Sequence, residues 1–295
     1  MSSILTNNGA MVALQTLKSI NSSLNDTQSA ISTGKDINSA KDNASVWAIS
    51  KVMESDVAGY NAIEDSLSLG ESTVAVASTG AEQIVEKLKE IKEKVVSATG
   101  ENVDNDKISS EVEELKSQIT SIIGASQFNG ANLLDSSTVT TGTSATNGIT
   151  VLSSLDRDNT GKVTASNISV SAADFTDKFT TSGITVGTAT GVTLANIDVT
   201  TSAKADESLA MIEAFIDTAT AEAAKLGASS ARITDQKDFI SKLSDSVTSG
   251  IGSLVDADME ETSARLQALQ VQQQLGTQAL SIANQAPQQL LSLFR

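Results

Sequence analysis

Residues 46–95, VWAISKVMESDVAGYNAIEDSLSLGESTVAVASTGAEQIVEKLKEIKEKV, decide the fold. Within them Val46, Ile49, Met53, Asp56, Tyr60, Ile63, Leu67, Gly70, Val74, Ala77, Ala81, Ile84, Leu88, Ile91 and Val95 recur at alternating spacings of three and four. That rhythm keeps one narrow, mostly apolar stripe on one side of an α-helix. The chain's single proline lies elsewhere, so nothing interrupts the run. The spacing predicts one helix of about 75 Å, at a rise of 1.5 Å per residue. A sustained 3-4 seam also predicts a partner helix laid against it in a shallow left-handed coil.

The same rhythm recurs along the chain. Ile108, Val112, Leu115, Ile119 and Ile122 mark a shorter helix. It follows TGENVDND, where Gly100 is the natural stop, and is expected to fold back antiparallel on the first. Leu209, Ile212, Ile216, Ala219, Ala223, Leu226, Ser230, Ile233, Lys237, Ile240, Ser244, Val247, Ile251 and Leu254 form a second long seam. Near SGIGS the phase slips. A new register runs through Met259, Thr262, Leu266, Leu269, Gln273, Gly276, Leu280, Ala283, Pro287, Leu290 and Phe294. At the other end Ala10, Ala13, Leu17, Ile20, Leu24, Thr27 and Ile31 make a matching seam, closed by a bend at Gly34. Terminal helices at roughly 4–32 and 257–294 thus match each other, as do inner helices at roughly 43–98 and 205–252. The simplest closed arrangement pairs N-terminal with C-terminal helix at each level.

Residues 136–203 differ. They are rich in Thr, Ser, Gly and Val, with alternating pieces such as GKVTASNISVSA between turn residues. They read as short β-strands, a small insert at the far end from the termini. The fold class is therefore mainly α: an elongated coiled-coil bundle of long helices with a small β-rich outer domain.

Composition limits function. Net charge is -16, which disfavours nucleic acid as a partner. Cysteine and histidine are absent, removing thiol chemistry, disulfides and the commonest general base. No cofactor or metal site is implied, and no catalytic constellation stands out. The N-terminus lacks a basic segment followed by an apolar run, so it is not read as a cleavable signal peptide. No stretch has the roughly 18 apolar residues of a membrane span. Residues 264–295 contain no Asp or Glu, and their only charged side chains are Arg265 and Arg295. A helix of Gln, Ala and Leu with apolar residues off its seam (Val271, Leu275, Ile282, Leu291 and Leu293) calls for burial by other molecules. The tail ANQAPQQLLSLFR is the extreme case, and Pro287 must cost it one helix hydrogen bond.

Three motifs carry a resemblance to the bacterial flagellins. ALQTLKSINSSLNDTQSAISTGKDINSAKDNASVWAISKVMESDV at 13–57, SQFNGANLL at 126–134 and GTQALSIANQAPQQLLSLFR at 276–295 occur in family order. AMVALQTL and VWAIS are most similar to alphaproteobacterial members. The resemblance implies a filament subunit, not an enzyme, turned by motor torque for swimming. Residues 1–33 and 255–295 would form the inner coiled coil, and 34–45 a connecting spoke. Residues 46–135 and 204–254 would form the outer tube, and 136–203 a solvent-exposed insert. Implied partners are copies of itself or other flagellins, the flagellar export apparatus and its chaperone, and hook-associated and cap proteins. Membrane insertion is not implied, and the location would be the extracellular filament. A hook–filament junction protein and a secreted adhesin using the β insert are the alternative readings.

The residues expected to pack the inner core and join subunits are Leu14, Leu17, Ile20, Leu24, Ile31, Leu266, Leu269, Leu280, Leu290, Leu291, Leu293 and Phe294. Leu88, Lys89, Glu90, Ile91, Lys92, Glu93 and Lys94 match the stretch that an animal innate immune receptor reads in the family. Glu90 stands where the family has arginine, and Lys94 where it has leucine, so recognition is expected to be weak or absent. In the same helix Glu86–Lys89 and Glu90–Lys94 are the opposite-sign neighbours. DRDNTG at 156–161 resembles the start of a calcium loop but lacks the closing Glu, position 167 being Asn. A plain turn is the favoured reading. Asn-x-Ser/Thr matches at Asn21, Asn25, Asn43 and Asn167 are read as chance.

Overall fold

The computed structural model describes residues 7–135, 148–158 and 160–293, the last eight as backbone only. Five α-helices account for most of it: α1 (Asn8–Thr33), α2 (Ala44–Ala98), α3 (Asn105–Ala125), α4 (Ser202–Val255) and α5 (Met259–Leu293). Two antiparallel hairpins lie between α3 and α4. They are β1 (Gly148–Arg157) with β2 (Val163–Ser171), and β3 (Ile184–Val186) with β4 (Ala189–Val192). The mainly α fold with a central β region is as the periodicity predicts. No helix among the described residues is long and apolar enough to cross a membrane. Packing divides the chain into two compact units, Ala58–Ser244 and the stretches up to Val57 and from Asp245. Both division points fall inside long helices, so α2 and α4 each serve both units.

In the larger unit the 3-4 seam is the core. From Ile63 to Val95 every seam position of α2 is buried, and α4 contributes Ile212, Ala219, Leu226, Ile233 and Ile240. α2 and α4 run antiparallel, bridged by Lys92–Glu213 near one end and Lys237–Glu71 near the other. The Glu71 carboxylate holds Lys237 above the usual lysine range. α3 folds back antiparallel on α2. Lys94 pairs with Glu111, while Ser126 at the end of α3 reaches Gly80. Asp104 caps α3 by accepting from the Lys107 N–H. At the start of α4, Asp198 accepts from Lys204 and from the Thr200 N–H and hydroxyl, which lowers its pKa to about 2.

The β region is not a body apart. β1 lies along α2, whose glycines make room for it: an added Cβ at Gly70 would stand 2.5 Å from Val151 Cγ2, and one at Gly59 2.9 Å from Leu155 Cδ1. Leu152 N–H donates to Ser66 Oγ, and Gln236 Nε2 donates to the Ser153 carbonyl. Three of the chain's six phenylalanines close the other side. Phe179 stacks on Phe175 at 4.9 Å and meets Phe215 of α4 edge-on at 5.1 Å, and all three are fully buried. The described part of the β region packs on the helices along one side. Val151, Ile168, Val170, Phe175, Phe179, Leu194, Ile197 and Val199 share one core with the helices. The outer half of β2, Val163 to Asn167, does face solvent. The physical reason is that small residues on α2, Gly70 in the seam and Gly59 on the same side, leave space that Val151 and Leu155 of β1 enter. Residues 136–147 lie outside the described residues.

Two buried polar ties complete the unit. Lys116 Nζ, almost wholly buried, donates to the Ile197 carbonyl at 2.6 Å and pairs with Glu113. Burial pushes the Glu222 carboxyl up, but Lys178 and Lys225 outweigh it and hold it below the usual range.

The two kinds of helical glycine predict opposite signs. Gly70→Ala is expected to lower stability by about 1–2 kcal/mol, because overpacking against Val151 exceeds the roughly 0.5–1 kcal/mol helix gain. Gly227 in α4 has open space where a Cβ would go. Gly227→Ala should therefore raise stability by about 0.5–1 kcal/mol. Urea unfolding of both variants measures the pair, and a destabilised Gly70→Ala should recover in combination with Val151→Ala.

Candidate assembly surface

The smaller unit is built on an antiparallel pair, α1 and α5. Asn7 starts it: its Oδ1 caps α1 by accepting the Ala10 N–H, and its Nδ2 donates to the Ala283 carbonyl of α5 at 2.7 Å. Further along, Leu17 packs on Gly276, and Gln273 Nε2 donates to Asn21 Oδ1 at 2.7 Å. Ala10, Ala13, Leu17, Ile20, Leu24 and Ile31 are half-buried, and Thr27 is buried. Opposite them Thr262, Leu266, Leu269, Gln273, Gly276, Leu280 and Ala283 are half-buried, while Met259 is 45% exposed. The seam read from spacing is the contact surface, but two helices alone leave it half covered.

Leu14 departs from its expected neighbours. It is 46% exposed, one position past the seam residue Ala13. Leu290, Leu291, Leu293 and Phe294 have side chains outside the described residues. The α5 backbone continues as helix through Pro287 to Leu293. Val271, Leu275 and Ile282 are 56%, 58% and 69% exposed. At about 100° per residue they fall roughly opposite the seam of α5. α1 adds Met11 and Val12, both exposed beyond half. Hence α5 carries two apolar faces, and among the described residues only one has a partner.

The bend after α1 is a dense polar knot. Gly34 closes the helix in the left-handed conformation (φ 71°) and donates to the Ala30 carbonyl. Its own carbonyl accepts from Ala257, and the N–H groups of Asp36 and Ile37 donate to the Val255 carbonyl. The end of α4 and the link to α5 are thereby tied to the bend after α1. Lys35 pairs with Glu54 of α2. Asp42 then gathers one loop onto one oxygen, Oδ2, which accepts from the N–H of Asn38 and the N–H and hydroxyl of Ser39. The Ser39 hydrogen bonds hold the Asp42 carboxyl below the usual carboxylate range. Asn43 follows as the cap of α2, its Oδ1 accepting from Ser45 and Val46. The residues DINSAKDNAS are thus a chain of caps and turns, a role that composition marks only as a bend.

The remaining candidates resolve into structure. Leu88 and Ile91 are fully buried in the seam. Lys89 pairs with Glu86, as the spacing predicts. Glu90 pairs with Lys87 and not with Lys94, which pairs instead with Glu111 of α3. Three residues and four residues are equally near on a helix, and α3 claims Lys94 from outside. Lys92 pairs with Glu213 across to α4. Asp158 Oδ1 accepts from the Thr160 N–H and hydroxyl and from the Lys162 N–H, which lowers its pKa. Its carboxylate is spent on the turn, as the plain-turn reading has it.

Comparison with known proteins places these features. The model of the bacterial flagellin N-terminal helical region matches residues 4–139, and that of the C-terminal helical region matches residues 209–294. The chain is 41% identical to a flagellin of Brucella melitensis and 38% identical to flagellin C of Rhizobium meliloti, covering 100% of both chains in each case. It is 39% identical to the flagellin FljM of Caulobacter vibrioides over 100% of this chain and 99% of that one.

The Asp42 knot predicts an acid transition. Because its folded pKa is lowered, Asp42 stabilises the loop above its unfolded pKa of 3.8, and that contribution is lost as pH falls through the lower folded value. Asp42→Asn should reduce stability near neutral pH and flatten the dependence below pH ~4. Thermal unfolding at a series of pH values checks this, with Trp47 fluorescence reporting the start of α2.

Proposed function

We infer, since this chain belongs to the bacterial flagellin family, that it works as a structural subunit which polymerises into the bacterial flagellar filament. It is not an enzyme; its function is mechanical, transmitting motor torque along a propeller built of its own copies and other flagellins. The observation that carries this reading is the second apolar face of α5. Val271, Leu275 and Ile282 stand exposed opposite a seam already occupied by α1. Burying one such side chain contributes about 1.5–3 kcal/mol, so a repeated contact across subunits suffices to hold a polymer. The junction-protein and adhesin readings gain nothing further, since the chain aligns end to end with proteins named flagellins.

Finer assignments go with this reading. α1 and α5 form the innermost layer, packed by Leu17, Ile20, Leu24, Ile31, Leu266, Leu269 and Leu280. Leu290 and Phe294 continue the seam that faces α1, while Leu14, Leu291 and Leu293, off the seam, face neighbouring subunits. The 34–45 loop is the spoke, and the α2–α4 unit forms the outer tube. The subunit leaves the cell through the flagellar export apparatus with its chaperone, meets hook-associated and cap proteins, and resides outside the cell. A chain without cysteine suits export in an unfolded state, because no crosslink can form. The immune receptor of animals recognises it weakly or not at all. Its matching stretch has Glu90 and Lys94 at two contact positions, and its apolar Leu88 and Ile91 are buried.

Deleting residues 283–295 is expected to abolish polymerisation while the α2–α4 unit keeps its helical circular dichroism. Val271→Gln with Leu275→Gln should do the same without shortening the chain. The readouts are sedimentation of polymer and a dominant sheared-filament band near 30.5 kDa for the unaltered protein. Normal filaments from the truncated protein would sink the assigned role of the tail. A receptor reporter giving full stimulation by the monomer would do so for weak recognition.

A further inference from the structure

The larger unit holds one aromatic side chain out to solvent. Phe239 of α4 is 57% exposed, whereas Phe175, Phe179 and Phe215 are fully buried. Lys242, one turn on, is exposed and takes part in no ion pair among the described residues. Elsewhere on the same unit a groove of about 550 Å³ opens between α2 and α4, walled by Thr79, Val85, Thr220 and Ala223. Two carboxylates stand on its rim. Glu86 is paired with Lys89, and Glu82 has no ion pair among the described residues.

We propose that Phe239 of one copy seats in this groove on a second copy, with Lys242 against Glu82. The proposal rests on the reading of the chain as a filament subunit and names one of its lateral contacts. Two facts support the pair: the exposed ring meets an open groove of mixed apolar and polar lining, and Lys242 and Glu82, of opposite sign, are both without an ion pair among the described residues. Asp235 and Asp238 also flank Phe239, so Lys242 is the one cation there that can meet the groove's carboxylates. The geometry also suits a polymer. Along α4, Phe239 lies about 100° around the helix from Thr220 and about 160° from Ala223. Knob and groove therefore face different ways. A contact between two different patches leaves a free knob at one end and a free groove at the other, so copies add without limit when, as with an axial stagger, the rotation does not close a ring. The separation of Thr220 and Phe239 corresponds to about 28 Å along the helix axis. Copies in parallel orientation are staggered by that amount.

The absence of cysteine makes the test clean, because introduced thiols are the only ones present. Full-length protein carrying Glu82→Cys and Lys242→Cys is polymerised and treated with a short bis-maleimide. A ladder of covalent multimers from filaments, and none from dilute monomer, is the expected result. Phe239→Ala should raise the concentration left unpolymerised at equilibrium by about tenfold or more, with the helical content of the monomer unchanged. Glu82→Lys and Lys242→Glu should each weaken assembly, and the double reversal should restore it. Filaments of the double-cysteine variant that give no ladder overturn the proposal, as does normal assembly of Phe239→Ala. Crosslinking to a protein other than this chain overturns it too. Should the double-cysteine variant not assemble, the charge reversals decide: no recovery in the double variant overturns the proposal. Failure of the unaltered protein to polymerise would instead remove the filament reading itself.

Discussion

Antiparallel pairing of helices that lie far apart in the chain is the constraint on which this molecule depends. A helix in water gains little from its own hydrogen bonds, and most of its stability comes from an apolar face packed elsewhere. Here that face is a 3-4 seam, and for the four longest helices its partner is remote in the chain. α1 meets α5 through Asn7–Ala283 and Asn21–Gln273, and α2 meets α4 through Glu71–Lys237 and Lys92–Glu213. The cross-helix ion pairs are partly solvated and contribute about 0–1 kcal/mol each. They mark the register more than they hold it. The buried seam of Ile63, Leu67, Ile84, Leu88, Ile91, Ile212, Ile233 and Ile240 carries the energy.

The two units use the same seam to opposite ends. In the larger unit a third helix and the β hairpins cover what the seam leaves open, and the core side chains are buried. The glycines of α2 matter here. Gly70, a seam position, and Gly59, on the same side of the helix, let β1 approach closely, and Val151 and Leu155 fill the space. In the α1–α5 pair nothing comparable arrives among the described residues. The seam stays half-buried, and Val271, Leu275 and Ile282 lie open on the far face of α5. One unit is finished by its own chain, and the other presents surface for further molecules.

Legibility followed the reach of periodicity. Every helix and the contact face of α1 and α5 could be read from spacing, since a residue's place on a helix depends only on its position in the sequence. Phe215 could not: it sits beside the seam residue Ile216, and its importance comes from Phe179 and Phe175 across the β region. Lys116 reads as one more solvated charge until the Ile197 carbonyl is brought to it. Lys94 lies four residues from Glu90, yet Glu111 takes it because α3 folds back at that level. Asp42 looks like a loop carboxylate, and only the turn shows that it gathers three donors from Asn38 and Ser39.

By itself the sequence determined helix number and extent, the seams, the absence of thiol and imidazole chemistry, and the low charge of the C-terminal helix. All of these are local or compositional properties, set by backbone geometry and side-chain type. Only the tertiary structure decided that the β region shares the helical core, that β1 enters the space at Gly59 and Gly70 of α2, and which carboxylate each lysine meets. Those outcomes depend on contacts between residues distant in the chain. A one-dimensional pattern records which side of an element is apolar, but not which element arrives to cover it.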